Sequence, residues 1–285
     1  MIKMDGKALA LSLEAELKIK VDKLITKKLR LPKLVVILVG DNPASQTYVK
    51  NKVKACERVG FLSEIIYLDA ESTQEMVLNV IDRLNKDKTV DGILVQLPVP
   101  KHLDAKAIVH ALDPMKDVDG LHPMNVAKLY ENEKGFVPCT PKGIMRLLKA
   151  YKIDVIGKHC VVLGRSNLVG RPVAQLLLNE NATVTICHSK TQNLSEFTKQ
   201  ADIIVVAIGR ANFLTAKDVN HASCIIDVGI NRVDGKLVGD VAYDELVDKV
   251  DAMTPVPGGV GPMTIGMLLE NTLEAYEMHE GVAHD

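Results

Sequence analysis

The sequence has almost no net charge, no cysteine pair in metal-binding spacing, no long uncharged apolar run, no internal repeat and no low-complexity tail, and several of these absences remove a class of function. Lysine plus arginine number 35 against 36 acids, so no net field draws the chain to nucleic acid or to an anionic membrane. Cys56, Cys139, Cys160, Cys187 and Cys224 are odd in number and scattered without a C-x-x-C. That argues against structural zinc, predicts no metal site, and fits reduced thiols in a cytoplasmic protein, where they read as small core residues. Glu14, Glu16 and Lys18 interrupt the apolar N-terminal segment, so neither a signal peptide nor a membrane span is expected there. With 285 residues the chain can bury a sizeable core and is expected to form two domains.

What is present is organised around Cys160 to Gln175, C-V-V-L-G-R-S-N-L-V-G-R-P-V-A-Q. A short apolar run ends at Gly164, and a helical pattern starts near Gly170 and carries Val173, Leu176 and Leu177 inward. A strand, tight loop and helix N-terminus in that order offer unpaired backbone N–H groups and a positive dipole end to a phosphate. The dinucleotide pattern G-x-G-x-x-G is not met: Ser166 stands at the second glycine, and Gly170 comes one residue late. An ordinary strand-to-helix turn therefore remains open on this stretch alone.

The following strand, Thr183 to Cys187, ends in His188, Ser189, Lys190 and Thr191. Sites for the unphosphorylated cofactor usually place an acid about 20 residues after the glycines to bind the ribose hydroxyls. Here there is none. Arg165, with Ser189 as hydroxyl donor, would suit a 2′-phosphate instead, so the pattern favours NADP over NAD.

Taken in order, Asp5 and Gly6 open an amphipathic helix with Leu9, Leu13, Leu17, Val21 and Leu24 on one face. Strands are predicted at Leu34–Val39, Glu64–Leu68 and Gly92–Leu97. Helices are predicted from Pro43, over Thr73–Leu84 and around Asp104–Leu112. A glycine-, proline- and acid-rich section from Pro114 to Gly135 reads as the connection between domains. A helix from Pro141 to Leu148 and a second alternation follow, with strands at Val161–Leu163, Thr183–Cys187, Ile203–Ala207 and Cys224–Val228, and a last helix runs from Pro262 to about His279. Such alternation predicts an α/β fold with parallel sheets and crossover helices.

Four groups of residues could carry chemistry. Tyr48 and Lys52, four apart, share a helix face. They read either as a half-buried aromatic beside a solvated lysine or as a site whose lysine is desolvated enough to exchange protons near neutrality. Y-x-x-x-K also occurs in short-chain dehydrogenases, but there the glycine fingerprint precedes the tyrosine and here it follows. Asp117 and Asp119 in K-D-V-D-G read as paired carboxylates or as turn formers. Gln96, in V-Q-L-P-V-P at a strand end, could bind a ligand or be satisfied in the core. Gly258, Gly259 and Gly261 among prolines are too dense for a plain helix entrance and suggest bare backbone packed on a ligand.

Together these residues resemble one family, the bifunctional methylenetetrahydrofolate dehydrogenase/methenyltetrahydrofolate cyclohydrolase enzymes (the FolD family). The resemblance runs through S-Q-T-Y-V-K-N-K, G-I-L-V-Q-L-P-V-P, K-D-V-D-G, P-C-T-P-K-G, G-R-S-N-L-V-G-R-P, D-V-G-I-N-R and T-P-V-P-G-G-V-G-P-M-T, in that order and over nearly the whole chain. Ala127, where the family usually has glycine, is a small departure. The resemblance implies an N-terminal folate-binding α/β domain (1–120, completed by a C-terminal helix, 262–285), a Rossmann-like NADP-binding domain (121–261) and a cleft between them. It implies catalysis by Lys52 with Tyr48, Gln96 and Asp119: Tyr48 stacks on the aminobenzoyl ring, Gln96 tunes the lysine and Asp119 binds the pterin. It implies NADP contacts from Gly164, Arg165, Ser166, Ser189 and Ile230, and folate contacts from Tyr48, Gln96, Leu97, Pro98, Asp119, Pro257, Gly258, Gly259 and Pro262. A homodimer acting on tetrahydrofolate derivatives is implied, without the large synthetase domain fused to some relatives. The competing readings are an NADP-dependent dehydrogenase of a different small substrate and a silent nucleotide-binding scaffold, and the second should have lost Lys52 or Asp119.

Overall fold

The computed structural model describes residues 1–220 and 223–281. The chain divides into two units, one made of Ser12–Cys139 with Ile265–Asp285, the other of Met1–Leu11 with Thr140–Thr264. Of the C-terminal helix expected over 262–285, residues 282–285 lie outside the described residues.

Strand β1 (Ile2–Lys3) and helix α1 (Gly6–Thr26) open the chain. Leu13, Leu17 and Val21 are buried along α1 at four-residue spacing, with Leu9 and Leu24 half-buried on the same face. Next come β2 (Lys33–Val39), α2 (Pro43–Val59), β3 (Leu62–Leu68), α3 (Gln74–Lys86), β4 (Gly92–Val95) and α4 (Ala105–His110). Strand β2 lies between β3 and β4 in a parallel sheet, and all but its first residue is buried. An unbroken apolar run is what a strand covered on both faces needs. The helices start where side chains satisfy their free N–H groups: Asn42 accepts from Ala44 and Ser45, Thr73 from Met76, and Asp104 from Lys106 and Ala107. Val77, Ile81 and Leu84 of α3 then pack with Val35, Ile37 and Ile93 in the core of this unit.

The section expected to be a plain connection contains a helix, α5 (Pro123–Tyr130). Pro123 takes the first helical position, and the His122 ring nitrogen Nδ1 accepts the Met124 N–H at 3.1 Å. Histidine is not among the usual capping residues, so the helix start was hidden by an uncommon cap among turn formers.

Helix α6 (Cys139–Ala150), β5 (His159–Leu163), α7 (Gly170–Asn179), β6 (Thr183–Cys187), α8 (Leu194–Lys199), β7 (Ile203–Val206), β8 (Cys224–Asp227), β9 (Asn231–Val233), β10 (Lys236–Val238), α9 (Tyr243–Leu246), β11 (Ala252–Met253) and α10 (Val260–Glu280) complete the chain. In the second unit six parallel strands stand in the order β1-β11-β8-β7-β5-β6. The order reverses at β5, because β6 lies on one side of it and β7 on the other. The carboxyl ends of these three strands therefore border a topological switch point, where open α/β sheets bind ligands. The expected α/β class with parallel sheets is what the chain forms. The antiparallel pair β9–β10, joined at Asp234 and Gly235, was not expected. No helix among the described residues is long and apolar enough to cross a membrane.

Within the first unit the end of α10 is tied down by ion pairs. Buried Asp91 accepts two hydrogen bonds from the Arg30 guanidinium, both at 2.7 Å, one from the Lys33 N–H at 2.9 Å, and pairs with His279 at 3.1 Å. Arg30 also binds Glu280 at 2.6 Å and lies over the Tyr276 ring. Burial alone would push the Asp91 carboxyl up, but the hydrogen bonds from Arg30, His279 and Lys33 outweigh it and hold the group below its ordinary value. Asp91→Ala is expected to cost about 3 kcal/mol, because removing one partner of a buried pair strands the other and Arg30 is only partly solvated. A carboxyl depressed in the folded state stabilises above its unfolded value and loses that contribution as pH falls. Thermal melts should therefore show a large deficit for Asp91→Ala at pH 7 that shrinks in acid, and equal melting temperatures at pH 7 would refute the assignment.

Candidate functional site

Asn42 and Pro43 fix the start of α2 and thereby aim Tyr48 and Lys52 along one face. Lys52 Nζ donates to Gln96 Oε1 at 2.9 Å. Gln96 follows the last residue of β4, its backbone N–H still bonds to the Ile37 carbonyl, and its own amide donates to the Leu97 carbonyl at 2.7 Å. With its nitrogen engaged, only the amide oxygen faces the lysine. Burial pulls the Lys52 pKa down, against the opposing charge of Asp119 and the Cys139 thiol. Burial thus shifts the lysine toward its neutral, proton-accepting form. Tyr48 itself stays 41% exposed. Leu97 and Pro98 carry the chain onward through a cis peptide bond.

The two aspartates of K-D-V-D-G separate in role. Asp117 is fully buried, and its Oδ2 accepts from the His122 N–H at 2.7 Å and from Asn125 at 2.9 Å. Burial pushes its carboxyl up to about 6. It holds the loop, as the turn reading expects, whereas half-buried Asp119 lies within electrostatic reach of Lys52. Lys116 is also structural, donating to the Leu84 and Asp87 carbonyls at 2.9 and 2.6 Å. One supporting residue escaped the sequence reading. Buried Asn271 on α10 donates to the Val118 and Val137 carbonyls at 2.8 and 3.1 Å, clamping the backbone next to Asp119. An Asn-Thr pair inside an apolar helix was the only signal for it.

In the second unit a cavity of about 300 Å³ opens at the carboxyl ends of β5, β6 and β7, lined by Gly164, Arg165, His188, Ser189, Ala207 and Ile208 among others. The glycine spacing has a steric cause. Gly164 has φ +117, and a Cβ there would sit 2.2 Å from the Ala207 carbonyl oxygen; a Cβ on Gly170 would sit 2.3 Å from the Gly164 oxygen. The two glycines let β5, β7 and the start of α7 close on one another, which a strict G-x-G-x-x-G is not needed to do. Ser166 Oγ accepts from the Val169 and Gly170 N–H groups at 3.2 and 3.4 Å, so it is engaged with the loop entering α7, and it is not among the cavity-lining residues. Ile230 is half exposed and also lies off that lining. No carboxylate lines the cavity among the described residues, so nothing there repels an added phosphate. Arg165, Ser189 and the glycine cradle fit NADP. The sequence reading missed Arg210 and Phe213, which line the same cavity just beyond β7; their signal was position after a parallel strand.

The Pro257–Pro262 segment also belongs to the second unit. Gly258 has φ +105 with open space around it, whereas Gly259 is closed in: its oxygen would lie 1.9 Å from a Cβ on Gly6. Part of the glycine density thus serves the close approach of α1, and the Gly258 carbonyl accepts the Lys7 N–H at 2.9 Å. All five cysteines are free and buried, and no group of His, Cys, Asp or Glu that could hold a metal occurs among the described residues.

Comparison with known proteins gives two family-model matches, the tetrahydrofolate dehydrogenase/cyclohydrolase catalytic domain over residues 4–119 and the tetrahydrofolate dehydrogenase/cyclohydrolase NAD(P)-binding domain over residues 138–280. The chain is 53% identical over 272 residues to the bifunctional protein FolD of Halalkalibacterium halodurans, covering 95% of this chain and 97% of that one. The crystal structure of the bifunctional FolD methylenetetrahydrofolate dehydrogenase/cyclohydrolase from Campylobacter jejuni is 52% identical and superposes with TM-score 0.96 over 98% of this chain and 99% of the other. That of the Trypanosoma brucei enzyme, complexed with NADP and an inhibitor, is 38% identical with TM-score 0.94 and covers 99% of both chains.

Proposed function

The chain belongs to the tetrahydrofolate dehydrogenase/cyclohydrolase family, and from that premise we propose that it oxidises 5,10-methylenetetrahydrofolate with NADP and hydrolyses the resulting methenyl compound to 10-formyltetrahydrofolate. The observation that carries the reading is the desolvated Lys52 amine bonded to an oriented Gln96 beside Asp119. NADP supplies the hydride acceptor for the first step. In that step the folate nitrogens share the developing positive charge, so the protein's task is to position rather than to exchange protons. Tyr48 stacks on the aminobenzoyl ring, Asp119 binds the pterin, and Leu97 and Pro98 pack beside it. Arg165 and Ser189 take the 2′-phosphate, Gly164 and Ser166 shape the loop around the pyrophosphate, and Ile230 packs on the cofactor.

Hydrolysis needs proton handling. Water adds to the cationic methenyl carbon, Lys52 as a neutral amine accepts the proton it loses, and the carbon–N5 bond breaks as N5 is protonated, leaving the formyl group on N10 and one net proton for solvent. A cationic substrate beside an ammonium would be repelled, which further favours the neutral amine. The chain acts in the cytoplasm as a homodimer; its five free thiols support the first statement, and edge strand β3, with Leu62 and Tyr67 exposed, supports the second. The test is to supply purified protein with 5,10-methylenetetrahydrofolate and either NADP or NAD, following nicotinamide and methenylfolate absorbance together. Reduction of NADP with transient methenylfolate is expected. Persistent methenylfolate would remove the hydrolase, and no folate-dependent reduction would remove the whole reading.

A further inference from the structure

We propose that Arg210 is a second phosphate-binding cation of the dinucleotide cavity and shares the 2′-phosphate of NADP with Arg165. The inference rests on the assignment of that cavity to NADP. Ser189 follows β6 and Arg210 follows β7, and these strands flank β5, which carries Arg165 just beyond its end. Arg165, Ser189 and Arg210 thus line the cavity from three neighbouring strand ends.

Arg210 is held in place from two sides. Fully buried Asp240 accepts the backbone N–H groups of Ile208, Gly209 and Arg210, each at 2.8 Å, and the Asn231 amide at 2.9 Å. Asp240 itself does not line the cavity. The Arg210 guanidinium lies 4.9 Å from the centre of the Phe213 ring, a cation–π contact that restrains the side chain and lowers the entropy lost on meeting a ligand. Neither Arg165 nor Arg210 forms an ion pair with a carboxylate among the described residues.

The chemistry asks for such a group. A ribose 2′-phosphate carries close to two negative charges at neutral pH and three acceptor oxygens. Arg165 stands in the loop that leads to the N-terminus of α7, where the pyrophosphate also seeks donors. Ser189 is neutral, so one guanidinium would serve two phosphate sites alone. Arg210 completes the charge balance, and its planar fork suits phosphate oxygens.

The test measures binding of adenosine 2′,5′-bisphosphate and of adenosine 5′-monophosphate by calorimetry to the intact protein and to Arg210→Gln. This variant keeps the backbone N–H that Asp240 holds, and its melting temperature checks the fold. The bisphosphate is expected to bind about tenfold more weakly to Arg210→Gln, with the monophosphate changed less than twofold. Equal losses for both ligands, or no loss for either, would overturn the role of Arg210 while leaving the cavity assignment standing. Failure of the unaltered protein to bind either ligand would overturn the cavity assignment itself.

Discussion

Lys52→Met is expected to abolish hydrolysis of methenyltetrahydrofolate, with a fall on the order of 10² to 10⁴, the usual contribution of a positioned proton-transfer group. NADP affinity should stay within about twofold, since the lysine lies in the unit of Ser12–Cys139 and the cofactor cavity is built from residues 163–213. Methionine keeps the length and apolar stem of the side chain, so α2 should survive intact. Oxidation of the methylene compound should continue at a reduced rate set by substrate positioning, and methenyltetrahydrofolate should accumulate where the unaltered enzyme releases the formyl product. The pH dependence follows from the same geometry. Because burial lowers the lysine's pKa, hydrolysis should climb with pH through that lowered value and then level off, and Asp119→Asn, which removes the charge opposing the shift, should move the rise toward lower pH. A Lys52→Met enzyme that hydrolyses normally would end the role assigned to this residue.

The second large effect is on cofactor choice. Replacing Arg165 with Ala and Ser189 with Asp together removes a guanidinium and sets a carboxylate where the 2′-phosphate must sit. Hydrogen bonds to charged groups contribute about 1.5–3 kcal/mol each. Loss of two, with repulsion added, should raise the KM for NADP on the order of 10² to 10³ while that for NAD falls, since an acid after β6 is the usual partner of the ribose hydroxyls. Steady-state kinetics with both cofactors and the same folate measure the ratio. An unchanged ratio would show that the phosphate is read elsewhere in the cavity.

Much of this was legible because periodicity and strand ends carry it. The unbroken run of β2, the Asn-Pro start of α2 and the strand–loop–helix turn at Gly164 each point to one local structure, and that structure forms. Tyr48 and Lys52 were visible as a pair, but the amide that bonds the amine and the carboxylate whose charge opposes its shift, Gln96 and Asp119, lie 44 and 67 residues further on, and no spacing rule connects them. The K-D-V-D-G segment concealed a division of labour for the same reason: only burial separates loop-holding Asp117 from Asp119. Helix α5 was missed because a histidine caps it. Strand β1 was missed because two residues form a strand only when β11, nearly the whole chain away, supplies the partner. Asn271 reaches the Val118 and Val137 carbonyls from more than 130 residues away, which a weak Asn-Thr signal could not reveal.

Everything in the proposed hydrolysis depends on an amine that is uncharged at the pH where the enzyme works. Labelling the lysine side chains with ¹³C at Cε and following the resonance absent from Lys52→Met through a pH titration measures that directly. The account predicts a midpoint clearly below the ordinary lysine value of 10.5; a midpoint at or above that value would contradict it.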